Sequence, residues 1–169
     1  MSHAKNKVDW CLKKAEKELK ETGKHRGLVR IPPNNALALD HLRKAEHYLN
    51  ATELLKQDFS DISASTIFYA MYHSLLAIAA KFGYKSRNQE CTFALIYQLI
   101  EEKNIDLPKE LLEQITELDV QKEKEGATST EIREEYQYDT KLSVDEQLYS
   151  KLFRLATTVI THTKEIIQK

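Results

Sequence analysis

The chain has 169 residues, of which only 4 are Gly and 3 are Pro, and its net charge is -1. This length is that of one domain, and so few turn-forming residues exclude a β-sandwich or barrel, which needs a turn about every 8–12 residues. Long helices remain, and a hydrophobic share of 41% is sufficient for a core.

A first helix is predicted over 8–22, where apolar residues recur at helical spacing until Gly23 ends the helix. The next segment, 24–34, contains Gly, Pro and Asn together with basic residues, and it is predicted to be an irregular connection. The chain therefore reads as a single domain, with this helix and connection in 1–34 and a bundle core in 35–169.

The two central helices carry different patterns. The second helix is predicted from Asn35 to about Gln57 and has one apolar face. The third, which Ser60 or Asp61 would cap, is apolar on nearly every side and therefore belongs at the centre of a bundle. Gly83 fits the left-handed position that ends this helix.

Three more helices are predicted. The fourth packs through a stripe that includes Phe93, and Pro108 fits the first turn of the fifth. Residues 121–131 are polar throughout and predict a mobile loop. The last helix is predicted to start at Ser143, which with Glu146 forms a capping box. The fold class is therefore all-α, an up-and-down bundle of about five to six helices.

The last helix carries two apolar stripes. The main stripe consists of Val144, Leu148, Leu152, Leu155, Val159, Thr163 and Ile166, and the second of Phe153, Ala156 and Ile160. A helix with two apolar faces can pack both within its own bundle and against another subunit, so we expect a homodimer.

No run approaches the roughly 18 apolar residues of a membrane span, and the N-terminus lacks the apolar stretch of a signal peptide. We therefore expect a soluble, cytoplasmic protein with no membrane contact. Cys11 and Cys91 lie far apart and lack metal-ligand spacing, so reduced and partly buried thiols are expected. A disulfide between them is the alternative.

Spacing argues against a metal centre and against a phosphate-binding loop. None of the six His lies at a metal-binding offset from another His, and four scattered Gly cannot form a phosphate loop. We therefore predict neither a metal nor a cofactor.

Charge is distributed unevenly: 1–50 carries a net +5, 51–100 is neutral, 101–146 carries −9 and 147–169 carries +3. Such runs are commonly solvated helix faces. Alternatively, they give the molecule a basic and an acidic side, which limits where an anion can bind.

Polar side chains interrupt the apolar third helix. Tyr69 and His73 lie four residues apart and therefore share a helix face. Either they find partners within the bundle, or they open towards a cleft where they contact a ligand.

Two helix motifs in 40–93 match a known pattern. The first contains Lys44-Ala45-Glu46, Leu49, Thr52 and Leu54-Leu55, and the second contains Phe68-Tyr69-Ala70-Met71-Tyr72-His73 followed by Gly83. Together they resemble the core of a HEPN domain, the higher-eukaryote and prokaryote nucleotide-binding family of helical bundles, with Thr52 in place of an Ala.

A later segment resembles the family's motif in which an Arg precedes a His by four to six intervening residues in ribonuclease members. Arg133 is present, but Tyr138 stands where the His is expected, and no His follows Arg87-Asn88 at that offset either. A phenol with a pKa near 10 accepts the proton of a 2′-hydroxyl poorly, and Arg133 lies in the acidic segment. We therefore expect no RNA cleavage.

The resemblance implies a non-catalytic HEPN-like protein that binds a nucleotide or a separately encoded nucleotidyltransferase-type protein, as in family toxin–antitoxin pairs. Arg133 would hold a phosphate or carboxylate and Tyr138 would stack, unless they form a surface Arg–Glu pair and a core-facing Tyr. Further ligand-binding candidates are Tyr69, His73, Arg87 and Asn88. The alternatives are an RNA-cleaving toxin with an altered motif and a structural dimerisation module without a ligand.

Overall fold

The computed structural model describes residues 2–116 and 144–169, which form six helices and one two-stranded sheet. The helices are α1 (His3–Thr22), α2 (Asn35–Leu55), α3 (Ser60–Lys81), α4 (Gln89–Glu101), α5 (Lys109–Thr116) and α6 (Glu146–Gln168). The predicted all-α bundle is confirmed. The predicted loop over 121–131, together with Arg133, Tyr138 and Ser143, lies outside the described residues.

The most apolar helix, α3, is the centre of the bundle and packs against α2, α4 and α6. Its large side chains Phe68, Met71, Leu75 and Ile78 are almost completely buried. Within the described ranges α3 is also the one helix long and apolar enough to cross a membrane, but 67% of that apolar window is buried inside the protein. Its hydrophobicity is therefore accounted for by the core that surrounds it.

The helix ends match the sequence patterns in part. Gly23 ends α1 with a φ of 69°, and Gly83 follows α3 with a φ of 81°. Both glycines therefore lie at the helix ends that the sequence predicts. The capping box predicted from Ser143 is wrong in position, because α6 begins at Glu146. Its first amides, those of Gln147 and Leu148, donate to the Asp145 carboxylate.

The start of α3 also differs from the prediction. Phe59 stands at the N-cap position, where no side chain caps the helix. The Ser60 hydroxyl oxygen instead accepts a hydrogen bond from the Val144 amide at 2.9 Å. Ser60 therefore links α3 to the segment that leads into α6.

The connection over 24–34 is more regular than predicted. Strand β1 (Leu28–Arg30) pairs antiparallel with β2 (Tyr84–Ser86), and Val29 lies opposite Lys85. Strands of three residues are too short for an alternating hydrophobic pattern to reveal them. This small sheet fixes the chain that enters α2 beside the chain that leaves α3.

The expectation of reduced thiols is wrong. Cys11 in α1 and Cys91 in α4 form a disulfide between residues 80 positions apart, and both are almost completely buried. Folding brings them together because α1, whose buried residues include Ala4 and Val8, packs against α4. Disulfides persist mainly in oxidising compartments, so this bond does not support the predicted cytoplasmic location, which stays a prediction.

Candidate functional site

The line where α2 and α3 run antiparallel carries the polar and aromatic residues of the candidate site. Three pairs meet across it: His41 with His73, Tyr48 with Tyr69, and Thr52 with Thr66. On each helix the three residues are separated by three, four or seven positions, so they share one face. We call these six residues the α2–α3 seam.

The imidazoles of His41 and His73 are in direct contact. Their Nδ1 atoms lie 3.1 Å apart and their ring centroids 5.3 Å apart, and both side chains are half-buried. Burial lowers the pKa of His73 to about 4, and the charges of His41 and Lys44 act in the same direction. Burial also lowers the pKa of His41, an effect that Asp40 opposes and Lys85 reinforces.

The tyrosine rings extend this contact along the seam. Tyr48 stacks on His73 and on Tyr69, with ring centroids 5.5 Å apart in both pairs. Tyr69 exposes 37% of its surface, so the far end of this three-ring stack faces solvent. A half-exposed stack of this kind offers a π-face to another planar group.

At the end of the seam beyond the tyrosine rings, the contact between α2 and α3 is made by threonine hydroxyl groups. The Thr52 hydroxyl donates to the Tyr48 carbonyl at 2.9 Å and lies 2.6 Å from the hydroxyl oxygen of Thr66. Tyr149 of α6 donates to the Thr52 carbonyl at 3.3 Å. These bonds fix α2, α3 and α6 at the point where the stack meets the core.

Positive charge lies close to the rings. The Lys44 ammonium is 5.0 Å from the centroid of Tyr48, and Lys85 is near enough to affect the pKa of His41. The carboxylate of Asp40, which raises the pKa of His41, also accepts a hydrogen bond from Arg43 at 3.2 Å. The seam thus combines aromatic faces with cations, which is the chemistry that base and phosphate groups require.

The structure brings two of the predicted site residues together and separates two others. Tyr69 and His73 find partners within the bundle, as the first predicted alternative expects, and Tyr69 also reaches solvent. Their contact with a ligand in a cleft stays a prediction. Asn88 has a structural role, because its side-chain oxygen accepts from the Cys91 amide at 2.9 Å and caps α4. The backbone amide of Arg87 extends the sheet by donating to the Gly27 carbonyl at 3.0 Å.

Sequence reasoning missed His41, Tyr48 and Lys44 as site residues. His41 has no other histidine at a metal-binding offset along the chain, and Tyr48 lies on a helix for which the sequence pattern indicates only an apolar face. A usable signal did exist. If α2 and α3 form an antiparallel pair joined by a short turn, His41 lies at the same level along the pair as His73, and Tyr48 lies at the same level as Tyr69.

Two other features of the described chain bear on the choice of site. A cleft of about 560 Å³ lies between α2 and α6, but its Lys56 already contacts the Tyr149 ring and pairs with Glu146 at 3.3 Å. Residues 2–116 and 144–169 contain no group of three or more His, Cys, Asp or Glu that could hold a metal ion. We place the candidate site at the seam because stacked aromatic rings and a cation meet there.

Comparison with known protein families gives no match for this chain, and comparison with curated protein sequences gives none either. The resemblance to the HEPN family therefore stays a prediction. The functional argument is carried by the residues of the seam.

Proposed function

We propose that this chain is a HEPN-like, non-catalytic helical protein that binds a nucleotide at the α2–α3 seam. The single observation that supports this most is the half-exposed stack of Tyr69, Tyr48 and His73 with Lys44 beside it. The resemblance in 40–93 points to the same two helices.

The proposed contacts follow from the geometry of the stack. A base stacks on the exposed face of Tyr69, at the outer end of the three rings. The phosphate groups lie towards Lys44 and Lys85, whose charges attract an anion. Stacking of a base is worth about 1–3 kcal/mol, so loss of the Tyr69 ring weakens binding by about fivefold to 150-fold.

The proposal includes contributions from other residues and from partners. Arg133 and Tyr138 add a phosphate-binding and a stacking group, and they lie outside the described residues. The resemblance adds a homodimer and a separately encoded nucleotidyltransferase-type partner. A cytoplasmic location is part of the proposal as well, although the disulfide is more typical of an oxidising compartment. Nucleotide binding at the seam can be tested without Arg133, Tyr138 or a partner protein.

The experiment is calorimetric titration of the full chain with AMP, ATP and GTP, repeated with Tyr69→Ala and Lys44→Gln. The matched control is Trp10→Ala, because Trp10 is also an exposed ring with two lysines, Lys7 and Lys14, within 4.8 Å and 5.0 Å of its centroid. We expect the two seam variants to weaken binding and the control to leave it unchanged. Equal affinity in Tyr69→Ala and wild type would contradict the proposal, and a dimer that releases no heat with any nucleotide would favour the dimerisation module.

RNA cleavage is the second candidate function, because the seam brings together two imidazoles that the sequence motif lacks. Acid–base cleavage by two imidazoles needs one protonated and one neutral ring. Burial lowers the pKa of both His41 and His73, so both rings are mainly neutral near pH 7 and the protonated partner is scarce. Cleavage of mixed RNA that is lost in His73→Asn or Arg133→Ala would establish this function and overturn the non-catalytic proposal.

A further inference from the structure

The two imidazoles of the seam form one hydrogen-bonded unit, which we call the imidazole pair. The Nδ1 atoms of His41 and His73 lie 3.1 Å apart and their ring centroids 5.3 Å apart, so the two Nδ1 atoms point at each other. A hydrogen bond of this kind needs a proton on one Nδ1 and a lone pair on the other. The ring that donates therefore keeps its remaining lone pair on Nε2.

This geometry limits the imidazole pair to one added proton. A first proton can bind at the Nε2 lone pair of the donating ring, which leaves the hydrogen bond between the Nδ1 atoms in place. A second proton would put an N–H group on both Nδ1 atoms, and two donors cannot form a hydrogen bond with each other at 3.1 Å. Among the described residues neither Nε2 atom has a hydrogen-bond partner, and neither is a buried polar atom without one, so a proton can reach both from solvent.

We propose that the imidazole pair takes up one proton from solvent when the phosphate groups of a nucleotide bind at the seam, so that binding is coupled to pH. The coupling rests on the nucleotide site proposed above and adds its regulation. A nucleoside, which carries no phosphate charge, would not produce this uptake. The imidazole pair thus favours phosphorylated ligands over their nucleosides.

Nearby charge accounts for the difference between the free and the occupied pair. In the free chain, burial and then repulsion by neighbouring cations lower the pKa of both rings, which keeps the pair neutral near neutral pH. The charged groups that act on the pair are Lys44 and Asp40 of α2 and Lys85 of β2. On the other packed helix, α6, Lys164 is balanced by Glu46, with which it pairs at 2.6 Å. Phosphate groups beside Lys44 and Lys85 would offset the repulsion and raise the pKa of the pair.

The expected size of the coupling follows from electrostatics. We expect bound phosphate groups to make protonation of the pair about tenfold more favourable, which moves its titration upward by about one pH unit. By linkage, ATP then binds the protonated pair about tenfold more tightly than the neutral pair. Because the ligand raises the pKa, the gain in affinity appears as the pH falls and is absent at high pH, where the pair stays neutral with and without ATP.

The competing explanation is a purely structural hydrogen bond that links α2 to α3. Tyr48 stacks on His73 at a centroid distance of 5.5 Å, so the pair is already part of the packing between these helices. A structural bond keeps the same protonation state whether or not a ligand is bound. The protonation of the rings with and without ATP therefore separates the two explanations.

The experiment follows the histidine ring signals of the full chain by ¹⁵N–¹H NMR from about pH 4 to about pH 8, with and without saturating ATP. We expect His41 and His73 to titrate together, with one proton for the two rings, and their common midpoint to rise by about one pH unit with ATP. The internal control is His47, an exposed histidine on the same helix, whose signals should titrate identically in both conditions. Ring signals report protons on the protein, so the titration of ATP itself does not disturb the reading.

Affinity gives a second measurement. The ATP affinity of wild type relative to the double variant His41→Asn with His73→Asn should rise by up to about tenfold as the pH falls, because only wild type takes up the proton. Comparison at the same pH cancels the titration of ATP. The matched control is His47→Asn, whose affinity relative to wild type should not depend on pH.

The outcomes separate the coupling from the nucleotide site. ATP that binds without moving the titration of the pair would overturn the coupling and leave the nucleotide site standing. Rings that titrate separately, with one proton each, would also overturn it. No ATP binding at any pH would remove the nucleotide site and the coupling together.

Discussion

The contact between α1 and α4 and the seam between α2 and α3 hold their helices together in different ways. On the first, a disulfide joins Cys11 of α1 to Cys91 of α4, and the other buried residues of α1 are Ala4, Val8 and Ala15. On the second, half-exposed rings and buried hydroxyl groups meet without a covalent bond.

The difference indicates where each region can tolerate polar groups. A covalent bond secures α1 although its inner face offers little apolar surface. At the seam, the apolar side chains of α3 stabilise the bundle from below, so the outer edge can carry His, Tyr and Lys. Residues that are not needed for stability are free to bind a ligand.

The largest loss of stability is expected when the disulfide between α1 and α4 is removed. Reduction of the disulfide, or the double substitution Cys11→Ala with Cys91→Ala, should lower the free energy of unfolding by about 4 kcal/mol, because the bond closes a loop of 80 residues. Urea unfolding with and without reductant measures this change. The double variant is the control and should not respond to reductant, whereas a wild-type chain equally stable in both conditions would contradict the prediction.

Two glycine substitutions compare the stability of the ends of α1 and α3. Gly83→Ala should cost about 2–3 kcal/mol, because its φ is 81° and an added Cβ would lie 2.8 Å from the Ile31 carbonyl oxygen. Gly23→Ala, with a φ of 69° and nothing within 4 Å of an added Cβ, should cost about 1 kcal/mol. Unfolding midpoints of the two variants check the order, and equal losses would show that the close approach at Gly83 is unimportant.

A smaller effect tests the hydroxyl groups of the seam. Thr52→Val should cost about 1 kcal/mol, because it removes a buried hydroxyl that contacts Thr66 and the Tyr48 carbonyl. Ser63→Ala is the matched control: the Ser63 hydroxyl is equally buried but has no hydrogen-bond partner among the described residues. Calorimetric unfolding should show Ser63→Ala to be as stable as wild type or more stable, and a larger loss there than in Thr52→Val would be inconsistent with this network.

A comparable effect on stability is expected at the site itself. Tyr69→Ala should lower the free energy of unfolding by about 1 kcal/mol, because the residue is 37% exposed but its ring packs on Tyr48 and against Phe68. The same urea titration measures it. A loss comparable to that of Gly83→Ala would mean that Tyr69 is a core residue and would remove it as a binding platform.

Local sequence patterns predicted most of the fold. Helical periodicity and the terminating glycines predicted the helices. The start of α2 was predicted near Asn35, and the Asn34 side chain caps it by accepting from the Leu37 amide at 2.9 Å. The strands were missed because three residues carry no periodic signal. The disulfide and the His41–His73 contact were missed because their partners are 80 and 32 positions apart along the chain, and only tertiary packing sets such distances.

The most direct test of the central claim is NMR mapping of the folded chain during titration with ATP in the presence of EDTA. Binding at the α2–α3 seam predicts saturable shifts of the Tyr48, Tyr69 and His73 side chains, with no comparable change at Trp10. Shifts confined to Trp10 and its lysines, or no shifts at any ATP concentration tested, would contradict the assignment of the seam as a nucleotide-binding site.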